Sequence, residues 1–271
     1  LSRHGYGCRV TLFKDTVSHI MKSLEEGPPH TDMVEPWLEA LMADYNRDSM
    51  AQRDQYKAQV HLRGSVLQEI IWWALQSLPD EILVGLDFDG SRPVRQDVAA
   101  QFKSEHEQND LFQGQGYVVT EAHIVNRGDS FSVHHLPEEW IDGIYSQDRG
   151  SRAGRFTHWL HTHPNAPALP SEADADAAQE TQGVDMILGL RFTPEGPLPW
   201  YDDYEGVQRS LGKGPQTPRK KGFFARKRLP VLGIAPSGHA IHEIQLIAFH
   251  KNGFGINVVL VDDENLPFSD Y

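Results

Sequence analysis

The chain has 271 residues, 39% of them hydrophobic, and a formal net charge of −13. That length suits one large domain, or one domain with a small extension, while the longest apolar runs, such as Ile256–Val261, are far too short to span a bilayer and an acidic chain lacks the basic face that nucleic-acid phosphates require. Cys8 is the only cysteine, which excludes an intramolecular disulfide and a cysteine-based zinc site and leads us to expect a cytoplasmic protein.

No N-terminal stretch shows the charged start, apolar middle and small-residue cleavage site of a signal peptide. Residues 1–57 read as a mostly helical N-terminal extension. Arg9–Phe13 suits a short strand, and Asp15–Glu26 carries Val17, Ile20, Met21 and Leu24 at helical spacing before Gly27-Pro28-Pro29 breaks it. A second helix is expected over about Met33–Asp54, with Val34, Trp37, Leu38, Leu41, Met42 and Tyr45 on one face.

The main domain, 58–271, opens with a strand at Gln59–Leu62 and a strongly apolar helix at Gly64–Leu78, stopped by Pro79. A strand over Glu81–Phe88 ends at the Asp89-Gly90 turn, and the polar stretch Glu105–Gly116 reads as loop. Strands at Gly116–Asn126 and Ser130–His135 and a short helix at Pro137–Ser146 come next. Then follow a strand at Arg155–His163, a helix at Ser171–Gln182, and strands at Asp185–Phe192 and Leu229–Gly233. His239–His250 and Gly255–Val261 form a closing pair. Helices and strands alternate irregularly without a repeat, so the expected class is α/β (α+β) with a mixed sheet.

The segment His161-Thr162-His163-Pro164, followed by Ser171 and Asp174, carries the chemistry. Residues i and i+2 of a strand share a face, so both imidazoles can meet one ion. Pro164 ends the strand, having no amide donor for a ladder. Ser171 then opens a helix, and Asp174, one turn in, returns a carboxylate to the same place. Two histidines and one acid make three ligands for zinc and leave a fourth position open, as catalytic zinc sites do. Ser171 and Asp174 also suit a helix-capping arrangement, which is compatible with a role at the ion.

Hydrolysis at such an ion needs a carboxylate to move protons. The residues themselves leave two candidates open: Glu81, at the start of its strand, and Glu121, within Gly116–Asn126. His134-His135 and His239-Ala240-Ile241-His242-Glu243 match neither order of the known two-histidine zinc helices. They read as ordinary strand or loop histidines.

The string H-x-H-x7-S-x-x-D resembles the signature of the JAMM (MPN+) zinc metalloproteases, and the apolar Trp159-Leu160 ahead of it fits that pattern. Gln59–Leu62, the helix Gly64–Leu78, and Pro79-Asp80-Glu81 with Gly85 resemble the family's opening. The family usually has Glu-x-x-Gly, whereas Gly85 stands four residues after Glu81. The resemblance covers about Gln59 to Val261 and does not reach 1–57. It implies an MPN-type curved mixed sheet with flanking helices, and one Zn2+ per chain on His161, His163 and Asp174. It also implies Glu81 as general acid and base, with Glu121 in reserve, and the Ser171 hydroxyl as oxyanion partner. The implied activity is cleavage of peptide or isopeptide bonds in ubiquitin-like protein conjugates. A non-catalytic scaffold and a zinc hydrolase of a small amide or thioester are the alternatives. Ser130–Gly154 and Thr193–Arg228 stand where some members insert partner-holding segments, or are simply long loops. The basic run Arg209–Arg228 is either a solvated loop or a contact for an acidic partner.

Overall fold

In the computed structural model, which describes residues 36–128, 156–196, 200–202, 208–210 and 231–269, buried and part-exposed positions alternate strictly along the strand His158–Pro164. That alternation is the mark of a sheet with two differently used faces. The elements in chain order are α1 (Pro36–Ala51), β1 (Gln59–Arg63), α2 (Gly64–Ser77), β2 (Ile82–Pro93), α3 (Gln96–Phe102) and β3 (Tyr117–Arg127). They continue with β4 (His158–Pro164), α4 (Glu172–Ala177), β5 (Asp185–Thr193), β6 (Trp200–Asp202), β7 (Gln208–Ser210), β8 (Gly233–Ile234), β9 (Ala240–Phe249) and β10 (Gly255–Val261).

The main sheet runs β10-β1-β3-β2-β4-β5-β9, and β9 pairs again with β10. Seven strands therefore close on themselves. This corrects the expected fold: the chain builds a closed barrel, mostly strand with few helices, and not an MPN-type curved sheet with flanking helices. The closure rests on β10. It lies parallel to β1, from Gln59↔Asn257 to Arg63↔Val261, and antiparallel to β9 at Gly255↔Phe249 and Ile256↔Ala248. Hydrophobic periodicity reports which face of a strand is buried but not which distant strand pairs with it, so sequence could not show the closure.

All seven barrel strands contribute inward side chains to one core cluster, among them Leu62, Val84, Val119, Leu160, Leu188, Leu246 and Leu260. The apolar faces of α1 (Leu38, Leu41, Met42, Tyr45) and α2 (Val66, Leu67, Ile70, Ile71) enter the same cluster. These helices thus belong to the barrel's core and do not form a separate layer. Asn46 fixes α1 to β10 by donating from Nδ2 to the Leu260 carbonyl at 2.8 Å and accepting from the Leu260 amide at 2.9 Å. On the opposite face smaller clusters form: Val98 and Phe102 of α3 cover Val118, Val259 and Val261, and Ala168 and Ala178 cover Ile187, Ile247 and Phe249.

Several boundaries differ from expectation. β2 continues through Asp89-Gly90 to Pro93, and α3 follows where no helix was foreseen. α4 is only six residues long before a 3-10 turn at Ala178–Glu180. The expected elements at Arg9–Phe13, Asp15–Glu26, Ser130–His135 and Pro137–Ser146 lie outside the described residues. So do the segment Ser130–Gly154, the histidines 134–135 and most of the basic run Arg209–Arg228. Among the described residues, no helix is long and apolar enough to cross a membrane.

Candidate metal centre

β4 presents Trp159, His161 and His163 on its outer face, while His158, Leu160, Thr162 and Pro164 are buried. The chain leaves β4 through Asn165, whose φ of 53° is a left-handed conformation that asparagine tolerates. The Asn165 amide donates to the Leu190 carbonyl at 2.7 Å, and its Oδ1 accepts from the Phe192 amide at 2.8 Å. The loop then crosses close above Gly189, which pairs with His163 in the β4–β5 register. A Cβ at Gly189 would stand 2.9 Å from the Ala168 amide nitrogen, so glycine is what lets the loop lie so near the strand. From β9, Gln245 Oε1 accepts from the Ala168 amide at 3.2 Å.

This path delivers α4 to the outer face beside the histidines. Ser171 is its N-cap in a reciprocal capping box: Asp174 N donates to Ser171 Oγ at 3.2 Å, and Ser171 N donates to Asp174 Oδ2 at 2.6 Å. The box orients the Asp174 carboxylate toward β4. His161 Nε2 is 3.1 Å from Asp174 Oδ1, His163 Nε2 is 3.5 Å from Asp174 Oδ2, and the two Nε2 atoms are 3.0 Å apart.

Those three distances test the fit to an ion. Donors about 2.0–2.1 Å from one tetrahedral zinc are about 3.3 Å from each other. The two imidazole nitrogens are 3.0 Å apart and meet the carboxylate at 3.1 and 3.5 Å through its two different oxygens, and one donor atom from each of the three residues lies within 4.8 Å of the others. Imidazole N–H donors can make such contacts with the carboxylate and with each other, and the same donor set would also suit a metal ion. His163 Nδ1 lies 3.0 Å from the Pro167 carbonyl. Donation there leaves Nε2 as the ligating nitrogen, an outer contact typical of metal-binding histidines. The three side chains are 12–17% exposed, so solvent reaches the centre.

The charges follow from this packing. For Asp174, burial acts upward, but hydrogen bonds from His161 and His163 outweigh it and hold the carboxyl well below its ordinary range. For His163, burial acts downward, yet the bond to Asp174, the Pro167 carbonyl and the charges of Asp174 and Glu81 give a net upward shift.

That last contribution locates Glu81. Leu83 of β2 pairs with His161 of β4, so two residues earlier the antiparallel register sets Glu81 at the level of His163. The Ile82 amide donates to Thr162 Oγ1 at 2.9 Å, pinning the strands at this point. Glu81 is 8% exposed, and its charge is felt at His163. Glu121 does not come near: it stands opposite Asp87, six residues of strand beyond Glu81, or on the order of 20 Å. Gly85, despite its unusual spacing from Glu81, lies under the Phe156 ring, where a Cβ would approach to 2.4 Å.

Sequence reasoning did not foresee the supporting residues Asn165, Gly189 and Gln245, nor Asp185. Asp185 begins β5 and is 5% exposed. Its Oδ1 accepts from Thr181 Oγ1 at 3.1 Å, and among the described residues its Oδ2 has no hydrogen-bond partner. Burial pushes its carboxyl up to about 7, against the Thr181 bond and with a further upward push from the charge of Asp174. An Asn after Pro164 was a turn signal; an acid opening a strand carries no comparable mark.

No protein-family model matches the chain, and a search of curated proteins returns no match. Among solved structures, it is similar to the solution structure of protein DSY2949 from Desulfitobacterium hafniense, with 14% identity and a TM-score of 0.31, over 76% of this chain and 94% of that one.

Proposed function

We propose that this protein is a zinc-dependent metallopeptidase of the JAMM (MPN+) kind, hydrolysing peptide or isopeptide bonds in conjugates of a ubiquitin-like protein, and that it works in the cytoplasm, where a chain with one cysteine has no disulfide to lose. The observation that carries the reading is the triangle of His161, His163 and Asp174, spaced as ligands of one ion on a solvent-reached face with the Glu81 carboxylate beside it.

A zinc ion on those residues supplies Lewis-acid polarisation of a carbonyl and makes water acidic near neutral pH. The chain's own groups do the rest. Glu81, shielded from bulk water, takes a proton from the attacking water and returns it to the leaving amine nitrogen. Ser171 Oγ uses a lone pair, not its proton, in the capping bond from Asp174 N, so that bond does not use the proton that would be donated to the oxygen that gains charge. The Pro167 carbonyl keeps His163 in the tautomer that presents Nε2.

The test is incubation with ubiquitin-like conjugates, with and without a chelator, followed by mass measurement of the products. Chelator-sensitive release of the intact modifier, abolished in Glu81→Gln while zinc content is kept, is expected. Release that survives chelation, or undiminished turnover in Glu81→Gln, overturns the assignment. Cleavage of small amides or thioesters in place of conjugates would redirect it to the small-substrate hydrolase.

A further inference from the structure

His163, Gly189 and Gln245 stand in one row across β4, β5 and β9. Gln245 alternates with Ile244 and Leu246 of the core, so its side chain lies on the outer face, as that of His163 does. Between the two, Gly189 has no side chain, and the loop fills the place one would take. A Cβ there would stand 2.9 Å from the Ala168 nitrogen and 3.3 Å from the Ala166 carbonyl oxygen. The loop is held on both sides of this slot. On one side the Pro167 carbonyl oxygen lies 3.0 Å from His163 Nδ1. On the other the Ala168 amide donates to Gln245 Oε1 at 3.2 Å.

That carbonyl and that amide belong to a single peptide group. A trans peptide is planar, with its N–H and C=O directed oppositely, so fixing one end aims the other. Pro167 O also accepts from the Leu169 amide at 2.8 Å, and a carbonyl oxygen has a lone pair for each of its two contacts. Gln245 is itself held, because its Nε2 donates to Glu243 Oε1 at 2.7 Å. A carboxylate only accepts and a backbone amide only donates, so both contacts select the same orientation of the Gln245 amide. A continuous chain of hydrogen bonds thus runs from Glu243 through Gln245 and one peptide plane to His163.

We propose that, on the reading of His161, His163 and Asp174 as zinc ligands, Gln245 is a positioning residue for the metal centre. It fixes the peptide plane between Pro167 and Ala168, which holds His163 Nδ1 as a donor and leaves Nε2 turned toward the ion. Partners behind a metal-bound histidine set its orientation and basicity, and removing one typically weakens the metal by about 10–100-fold. Gln245 acts one step further out, so the lower end of that range, about tenfold, is expected.

The experiment compares wild type, Gln245→Met, and the paired exchange Glu243→Gln with Gln245→Glu. Methionine keeps the bulk of the side chain without its amide. The exchange places a donor at 243 and an acceptor at 245, so both bonds can re-form at the same net charge. Zinc affinity is measured by competition with a chromophoric chelator, and NMR of metal-free protein follows the Nδ1 proton of His163. Gln245→Met should bind zinc about tenfold more weakly and lose the Nδ1 proton signal to solvent exchange. The paired exchange should restore both. An Nδ1 proton that persists in Gln245→Met, an unchanged zinc affinity there, or a loss that the exchange does not repair overturns the proposal. If thermal melts show Gln245→Met unfolded, Gln245→Asn, whose amide falls one methylene short of the loop, takes its place. Wild type that binds no zinc would sink the metal reading, while the Nδ1 proton would still decide whether Gln245 positions His163.

Discussion

Two clusters of histidine and carboxylate share the barrel's outer face, and they are built in different ways. His161, His163 and Asp174 come from one stretch of fourteen residues, joined by a loop tied down at Asn165, Gly189 and Gln245. Asp87, Glu121 and His123 come from two strands and meet only because β2 and β3 pair in one register. The first cluster has a hydrogen-bonded frame for its acid, the Ser171 capping box, and an outer contact for a histidine, the Pro167 carbonyl. The second has an aromatic ring against its histidine. The first set is framed locally beside a buried carboxylate; the second is assembled only by the pairing of two strands.

The largest way to break this contrast is to remove one histidine from each. His163→Ala should lose zinc from the first cluster and all measurable turnover, while His123→Ala should keep turnover near wild type. Equal losses of turnover in the two variants would erase the distinction.

A smaller effect tests the frame. Ser171→Ala removes the cap, at about 1 kcal/mol of stability. It also removes the proposed oxyanion donor, for which turnover should fall by about 10²–10³. Zinc content should be retained, since Asp174 keeps its bond from the Ser171 amide. A stability loss with unchanged turnover would reduce Ser171 to a helix cap.

The smallest effect concerns Asp185, the buried acid whose charge interacts with Asp174. Its carboxyl is held up to about 7 in the folded protein, against an ordinary value of 3.8. In that window the folded state binds more protons than the unfolded state, so stability falls as pH rises from the lower value to the higher. Asp185→Asn removes the charge while still accepting from Thr181. In metal-free protein it should raise Tm by several degrees at about pH 8.5 and leave it unchanged at about pH 4. A gain of equal size at both pH values would place its origin in packing.

The sequence carried much of the first cluster and none of the second. A two-residue spacing on a strand puts His161 and His163 on one face, and an S-x-x-D string starts a helix with its acid turned back. Both are local rules of backbone geometry, and the observed β4 and α4 obey them. Glu81 and Glu121 could not be separated by any such rule, because each is an acid on a strand. The antiparallel β2–β4 register, pinned by the Ile82 amide on Thr162, brings Glu81 to His163. The β2–β3 register takes Glu121 to Asp87 instead.

By itself, the sequence determined the spacing of His161, His163 and Asp174, the helix cap beside them, and the positions of most strands. Each depends on residues within a turn or two of one another. Only the tertiary structure decided that β10 closes the strands into a barrel, that α1 and α2 join its core, and which acid meets the histidines. Those outcomes follow from hydrogen-bond registers and shared apolar burial between segments up to about two hundred residues apart. No local periodicity encodes which distant partner a strand will find.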